Sequence, residues 1–115
     1  YLAYGWIERN IFLDRSLEML KKAYEKNPDS HYILDSLAWA YFKKEDLVIA
    51  SKLMEEVTIR APGEAISLDH LGDIYFAIGR QREAIYMWKQ ASDLAEPEDN
   101  ILDGIQKKLD MYNAG

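Results

Sequence analysis

The 115-residue sequence contains no cysteine. A disulfide framework and thiolate metal sites are therefore excluded, and the redox compartment is left open. Only three prolines and six glycines occur, so few residues interrupt a helix. No apolar run approaches the ~18–20 residues that cross a bilayer, and direct membrane insertion is not expected. Basic residues are in deficit: 14 Lys and Arg stand against 20 Asp and Glu, for a net charge of -6. That balance disfavours nucleic acid and anionic lipid surfaces as partners. A Gly-rich phosphate loop, a His-x-x-x-His pair and a Ser or Cys nucleophile beside a base are also missing. No enzyme activity, cofactor or metal site is expected. The sequence begins at Tyr1 with neither an initiator Met nor a signal peptide, and it reads as a piece of a longer protein.

What the sequence does contain is 49% hydrophobic and 30% charged residues, the balance of a soluble globular domain. Its prolines, Pro28, Pro62 and Pro97, are spaced by 34 and 35 residues. Proline ends helices, so equal proline spacing marks equal structural units. The octapeptide DSLAWAYF at Asp35–Phe42 returns as DHLGDIYF at Asp69–Phe76. On that register Leu34 falls on Leu68, Leu37 on Leu71, Ala38 on Gly72, Tyr41 on Tyr75, Ala50 on Ala84, Met54 on Trp88 and Val57 on Ala91. Apolar residues recur at i, i+3, i+4 and i+7, which is a helical period.

Each unit is thus predicted to be two helices, at about residues 30–44 and 46–60, then 64–78 and 80–95. Ala38, Gly72, Ala50 and Ala84 are small enough to let paired axes approach to ~8–10 Å. Asp46 suits a helix start, and Gly79 suits a left-handed turn. Glu45, at the place of Gly79, would cost on the order of 1 kcal/mol there if left-handed. A shortened copy precedes these units, with Leu2-Ala3 matching Leu37-Ala38 and Ser16, Leu20 and Ala23 matching Ala50, Met54 and Val57. After Pro97, Ile101, Ile105, Leu109 and Tyr112 form one stripe with Leu102 beside it, opposite Asp103, Gln106, Lys107 and Asp110. Such a two-faced helix fits the open end of a repeat stack.

The pattern resembles the tetratricopeptide repeat, through its 34-residue period, its Leu-Gly/Ala-x-x-Tyr core, its alanine in the second helix and its boundary proline. The resemblance implies an all-α right-handed superhelix of antiparallel helix pairs. On this reading one domain spans 1–115, with a truncated repeat at about 1–29, repeats at about 30–63 and 64–98, and a capping helix at about 99–112. The motifs at Asp35-Ser36-Leu37 and Asp69-His70-Leu71-Gly72-Asp73, with Gly79-Arg80, Glu83-Ala84 and Trp88, are similar to the last repeats of a group of proteobacterial proteins. That similarity implies a bacterial source; the compartment, cytoplasm or periplasm, is left open.

In this family the first helices line a concave, ligand-meeting side. The candidate partner-binding residues are then Tyr32, Asp35, Trp39, Phe42 and Lys43 of one repeat, Ile66, Asp69, Asp73 and Phe76 of the next, and Tyr4, Ile7 and Glu8 of the first. An aromatic patch flanked by carboxylates suits a peptide with Lys or Arg beside apolar residues. Family members that clamp chaperone tails use Lys, Arg and Asn at these places, where Asp35, Asp69 and Asp73 stand here. Three other readings stay open. Trp39 and Phe42 could pack between neighbouring helices. The whole chain could be a spacer or self-association segment. Apolar surface at Leu2, Trp6 and Ile7 could dimerise the fragment.

Overall fold

The computed structural model describes residues 12–112, and they are helical throughout apart from short connections. Among them the elements run α1 (Leu13–Lys26), α2 (His31–Lys43), α3 (Leu47–Arg60), α4 (Ala65–Ile78), α5 (Gln81–Leu94), a single 3-10 turn (Pro97–Asp99) and α6 (Leu102–Tyr112). Helices α2 to α5 start and end within one residue of the bounds predicted from the repeat. The final helix begins later than expected, because Pro97 opens the 3-10 turn instead. Of the shortened first copy, only α1 falls among the described residues; Leu2, Ala3 and Trp6 lie outside them.

The chain divides into two compact units, Tyr1–Arg60 and Ala61–Gly115. In the first, α2 packs on α3 and α1 packs on α2. The small positions are fully buried, with Ser16, Ala38 and Ala50 at 0% exposure. Leu20, Leu34, Met54 and Val57 close around them. Each such side chain contributes roughly 1.5–3 kcal/mol by leaving water. Ser30 caps α2 by accepting from the Ile33 amide at 3.3 Å, and Asp46 reaches the Ile49 amide at 3.5 Å. Arg60, at the end of α3, donates to the Pro28 carbonyl and to the Tyr24 hydroxyl, tying α3 to the chain that joins α1 and α2.

The second unit repeats this plan with α4 and α5 and adds α6 against α5. Leu68, Leu71, Ile74, Tyr75, Ala84, Trp88 and Ala91 form its core. Gly72 faces the Trp88 indole so closely that a β-carbon there would collide with the ring. Both helix pairs turn through a left-handed residue, Glu45 at φ 65° and Gly79 at φ 99°. The same bonds close both turns. Asp46 donates to the Tyr41 carbonyl at 2.9 Å, and Arg80 donates to the Tyr75 carbonyl at 2.9 Å. Glu45 therefore carries the backbone strain that Gly79 avoids.

Candidate protein-binding faces

The face of α2 is built by helical spacing, which places Tyr32, Asp35, Trp39 and Phe42 along one side. Tyr32 is 67% exposed, and its ring lies 4.1 Å from that of His31. Asp35, Phe42 and Lys43 are half-buried. Trp39 departs from the expectation of an indole standing out for a ligand: it is 6% exposed. Its ring lies 4.7 Å from Phe42, and the Lys43 ammonium sits 5.4 Å above it. Trp39 is therefore covered as well as aromatic.

The face of α4 carries Ile66, Asp69, Asp73 and Phe76, all half-buried. Here the structure corrects the expectation that the two aspartates await a foreign cation. The Lys108 ammonium, from α6, donates to Asp69 at 2.6 Å and to Asp73 at 2.8 Å. The Trp88 indole N–H donates to the same Asp73 oxygen at 3.1 Å. Lys108 also lies 5.1 Å over the Trp88 ring. Tyr112, one turn further along α6, stacks on Phe76 at 4.3 Å and stands 6.0 Å from Trp88.

Burial raises the Asp69 carboxyl above its ordinary range, against the opposing pull of Lys108. Burial also disfavours the Lys108 ammonium, but its bonds to Asp69 and Asp73 more than offset that, and its pKa is raised overall. The three groups form one interdependent ion cluster, partly shielded from water. Neutralising Asp69 or Asp73 would remove an acceptor that the Lys108 ammonium uses.

Tyr4, Ile7 and Glu8 lie outside the described residues, as do Leu2 and Trp6 on which fragment dimerisation was expected to depend. His70 is buried, 8% exposed. Among the described residues no cluster of three or more His, Cys, Asp or Glu is placed to hold a metal ion, and no helix is long and apolar enough to cross a membrane. Lys108 was missed by sequence reasoning, although a signal existed. It lies three residues after Ile105 and four before Tyr112, on the edge of the stripe turned toward an acidic face.

The arrangement of helix pairs is shared with solved structures. The Sgt2 tetratricopeptide-repeat domain from Aspergillus fumigatus superposes with a TM-score of 0.75 over 98% of this chain and 78% of its own, at 16% identity. The first tetratricopeptide-repeat domain of Spaghetti (RPAP3), bound to the HSP90 peptide SRMEEVD, superposes with a TM-score of 0.73 over 93% of this chain and 86% of its own, at 18% identity. Neither a protein-family model nor a curated protein matches the sequence. The fold is that of the tetratricopeptide-repeat domains.

Proposed function

We propose that this chain is a protein-interaction module with no catalytic role, and that the faces of α2 and of α4 described above each suit a partner segment carrying Lys or Arg beside apolar side chains. The observation that carries the reading is Lys108: a lysine ammonium is held by Asp69 and Asp73 over the Trp88 ring, with Tyr112 against Phe76 beside it. The surface thus already binds, within the chain, the chemistry proposed for a partner. The RPAP3 domain of the same fold holds a peptide with three acidic side chains, SRMEEVD. Here the α2 face carries Asp35, and the carboxylates Asp69 and Asp73 of the α4 face already hold a lysine. On the α2 face, exposed Tyr32 and half-buried Asp35, Phe42 and Lys43 are the contacts proposed for it.

Titration of labelled basic-apolar and acidic peptides against the full chain tests this reading. Basic peptides should bind, should weaken with salt, and should lose several-fold affinity in a Tyr32→Ala/Asp35→Asn variant. Acidic peptides binding tightest, or an unaffected variant, would overturn it. A structural spacer is the second reading, favoured by the burial of Trp39 and the internal pairing of Asp69 and Asp73. It is preferred if no class of peptide binds.

A further inference from the structure

We infer that α6 is a displaceable occupant of the α4 face that carries Asp69, Asp73 and Phe76, and that the partner able to replace it is a helix bearing Ile, Lys and an aromatic residue at the spacing of Ile105, Lys108 and Tyr112. The inference rests on the interaction-module reading and names the partner's pattern.

Three features of α6 support exchange. First, its hold is narrow. Ile105 is its one buried residue, while Lys108, Leu109 and Tyr112 are half-buried and the rest are exposed. Second, the polar part of that hold is a charge cluster with 26% exposure at Lys108, 15% at Asp69 and 28% at Asp73, within reach of solvent ions. Third, α6 is joined to α5 by irregular chain: a capping-box turn at Pro97–Asp99 and then Asn100 in the left-handed region at φ 57°. Helix α6 can lift from this joint without unwinding α5.

An empty seat would leave Asp69 and Asp73 half-buried without a cation, which burial disfavours. The cluster therefore exchanges one lysine for another. The same holds for the ring stack, where an incoming aromatic residue regains the contact that Tyr112 gives up on Phe76. An isoleucine three residues before the lysine refills the space of Ile105, so a single basic residue in an extended peptide does not suffice. A tethered α6 also competes at high effective concentration. Binding in trans to the wild type is accordingly weak, and loosening α6 strengthens it.

The probe is a synthetic peptide with the sequence Ile101–Tyr112 of this chain, and the control is the same peptide carrying Lys108→Glu. The full chain is used as wild type and as Lys108→Met, which keeps most of the side chain and removes the charge. The probe should bind Lys108→Met about tenfold tighter than wild type, because the apparent affinity follows the fraction of open seats. The control should bind neither. In the wild type, saturating probe should speed amide hydrogen exchange at Ile105 and Lys108, a measurement that stands even if Lys108→Met folds poorly. Equal affinity for the two chains, equal binding of probe and control, or unchanged α6 exchange with the probe bound would each overturn the inference. If basic library peptides bind and lose affinity in Tyr32→Ala/Asp35→Asn while α6 stays protected, the interaction-module reading stands and this one falls. If neither library nor probe binds, both fall.

Discussion

The α2–α3 pair and the α4–α5 pair share one skeleton and place their indole differently. In α2–α3 the tryptophan is on the first helix, Trp39, beside Ala38, and the facing place on the second helix is Met54. In α4–α5 the tryptophan is on the second helix, Trp88, and the first helix answers with Gly72 and Asp73. The changes are linked by contact. Gly72 clears the space that the Trp88 ring fills, and Asp73 accepts the indole N–H. Asp73 in turn holds Lys108, so the move of one ring between helices prepares a seat for α6. A change that reads as variation on a binding face is also one part of a repacked core.

Removing the rings should give the largest effects. Trp88→Ala and Trp39→Ala should each destabilise by about 3–5 kcal/mol in urea unfolding, since both rings are buried. The two should differ in reach. Trp88→Ala also strips a donor from Asp73 and a ring from Lys108, so it should speed hydrogen exchange in α6, while Trp39→Ala should leave α6 protection unchanged. Equal effects on α6 would break the comparison.

Gly72→Ala comes next. The added methyl meets the indole, and the core must shift at a cost of about 1–3 kcal/mol. The reciprocal change in the other pair, Ala38→Gly, should cost only about 0.5–1 kcal/mol through helix propensity, plus the loss of one buried methyl. Gly72→Ala/Trp88→Met, which gives the second pair a residue combination closer to the first, should recover part of the loss. Failure to recover would show that Gly72 answers something other than Trp88.

The ion cluster should contribute less, because its members keep contact with water. Lys108→Met should destabilise by about 1–2 kcal/mol, below the range for fully buried pairs. Its pH dependence has a definite sign. The folded-state pKa of Lys108 is raised, so its stabilisation is fully present below the ordinary value of 10.5 and is lost as pH rises through the folded value. The melting temperature of wild type should therefore fall toward that of Lys108→Met in strongly alkaline buffer. Asp69 is raised by burial, so its own contribution disfavours folding once it ionises, and acid should weaken this cluster less than an ordinary Asp–Lys pair. Curves that run parallel above pH 10.5 would remove Lys108 from the account.

The smallest expected effect is a gain. Glu45→Gly should stabilise by about 0.5–1 kcal/mol, because Glu45 holds the left-handed turn that Gly79 makes without strain. No gain would mean that the greater freedom of glycine in the unfolded chain cancels the relief.

Most of the fold was legible. Helices α2 to α5 follow from the 34-residue register, because helix period, small contact residues and boundary prolines are local signals. The site was less so. Helical spacing puts Tyr32, Asp35, Trp39 and Phe42 on one face, but it does not say how deeply each ring sinks. The spacing leaves Trp39 open to two readings, a ring facing a ligand or one packed between helices, and it is 6% exposed. Helical spacing puts Asp69 and Asp73 on one face but does not show their cation, since Lys108 lies 39 and 35 residues away in the chain.

The sequence by itself determined the helices, their pairing and the turns between them. Each depends on neighbours within one repeat, where spacing and residue size decide the outcome. Only the tertiary structure decided which charges meet and which rings are covered. Those outcomes depend on where α6 lies on α4 and α5. A stripe shows that α6 has an apolar side, but whether Lys108 at its edge turns to water or to Asp69 and Asp73 is settled by a balance of desolvation and pairing that exists only once the helices are packed.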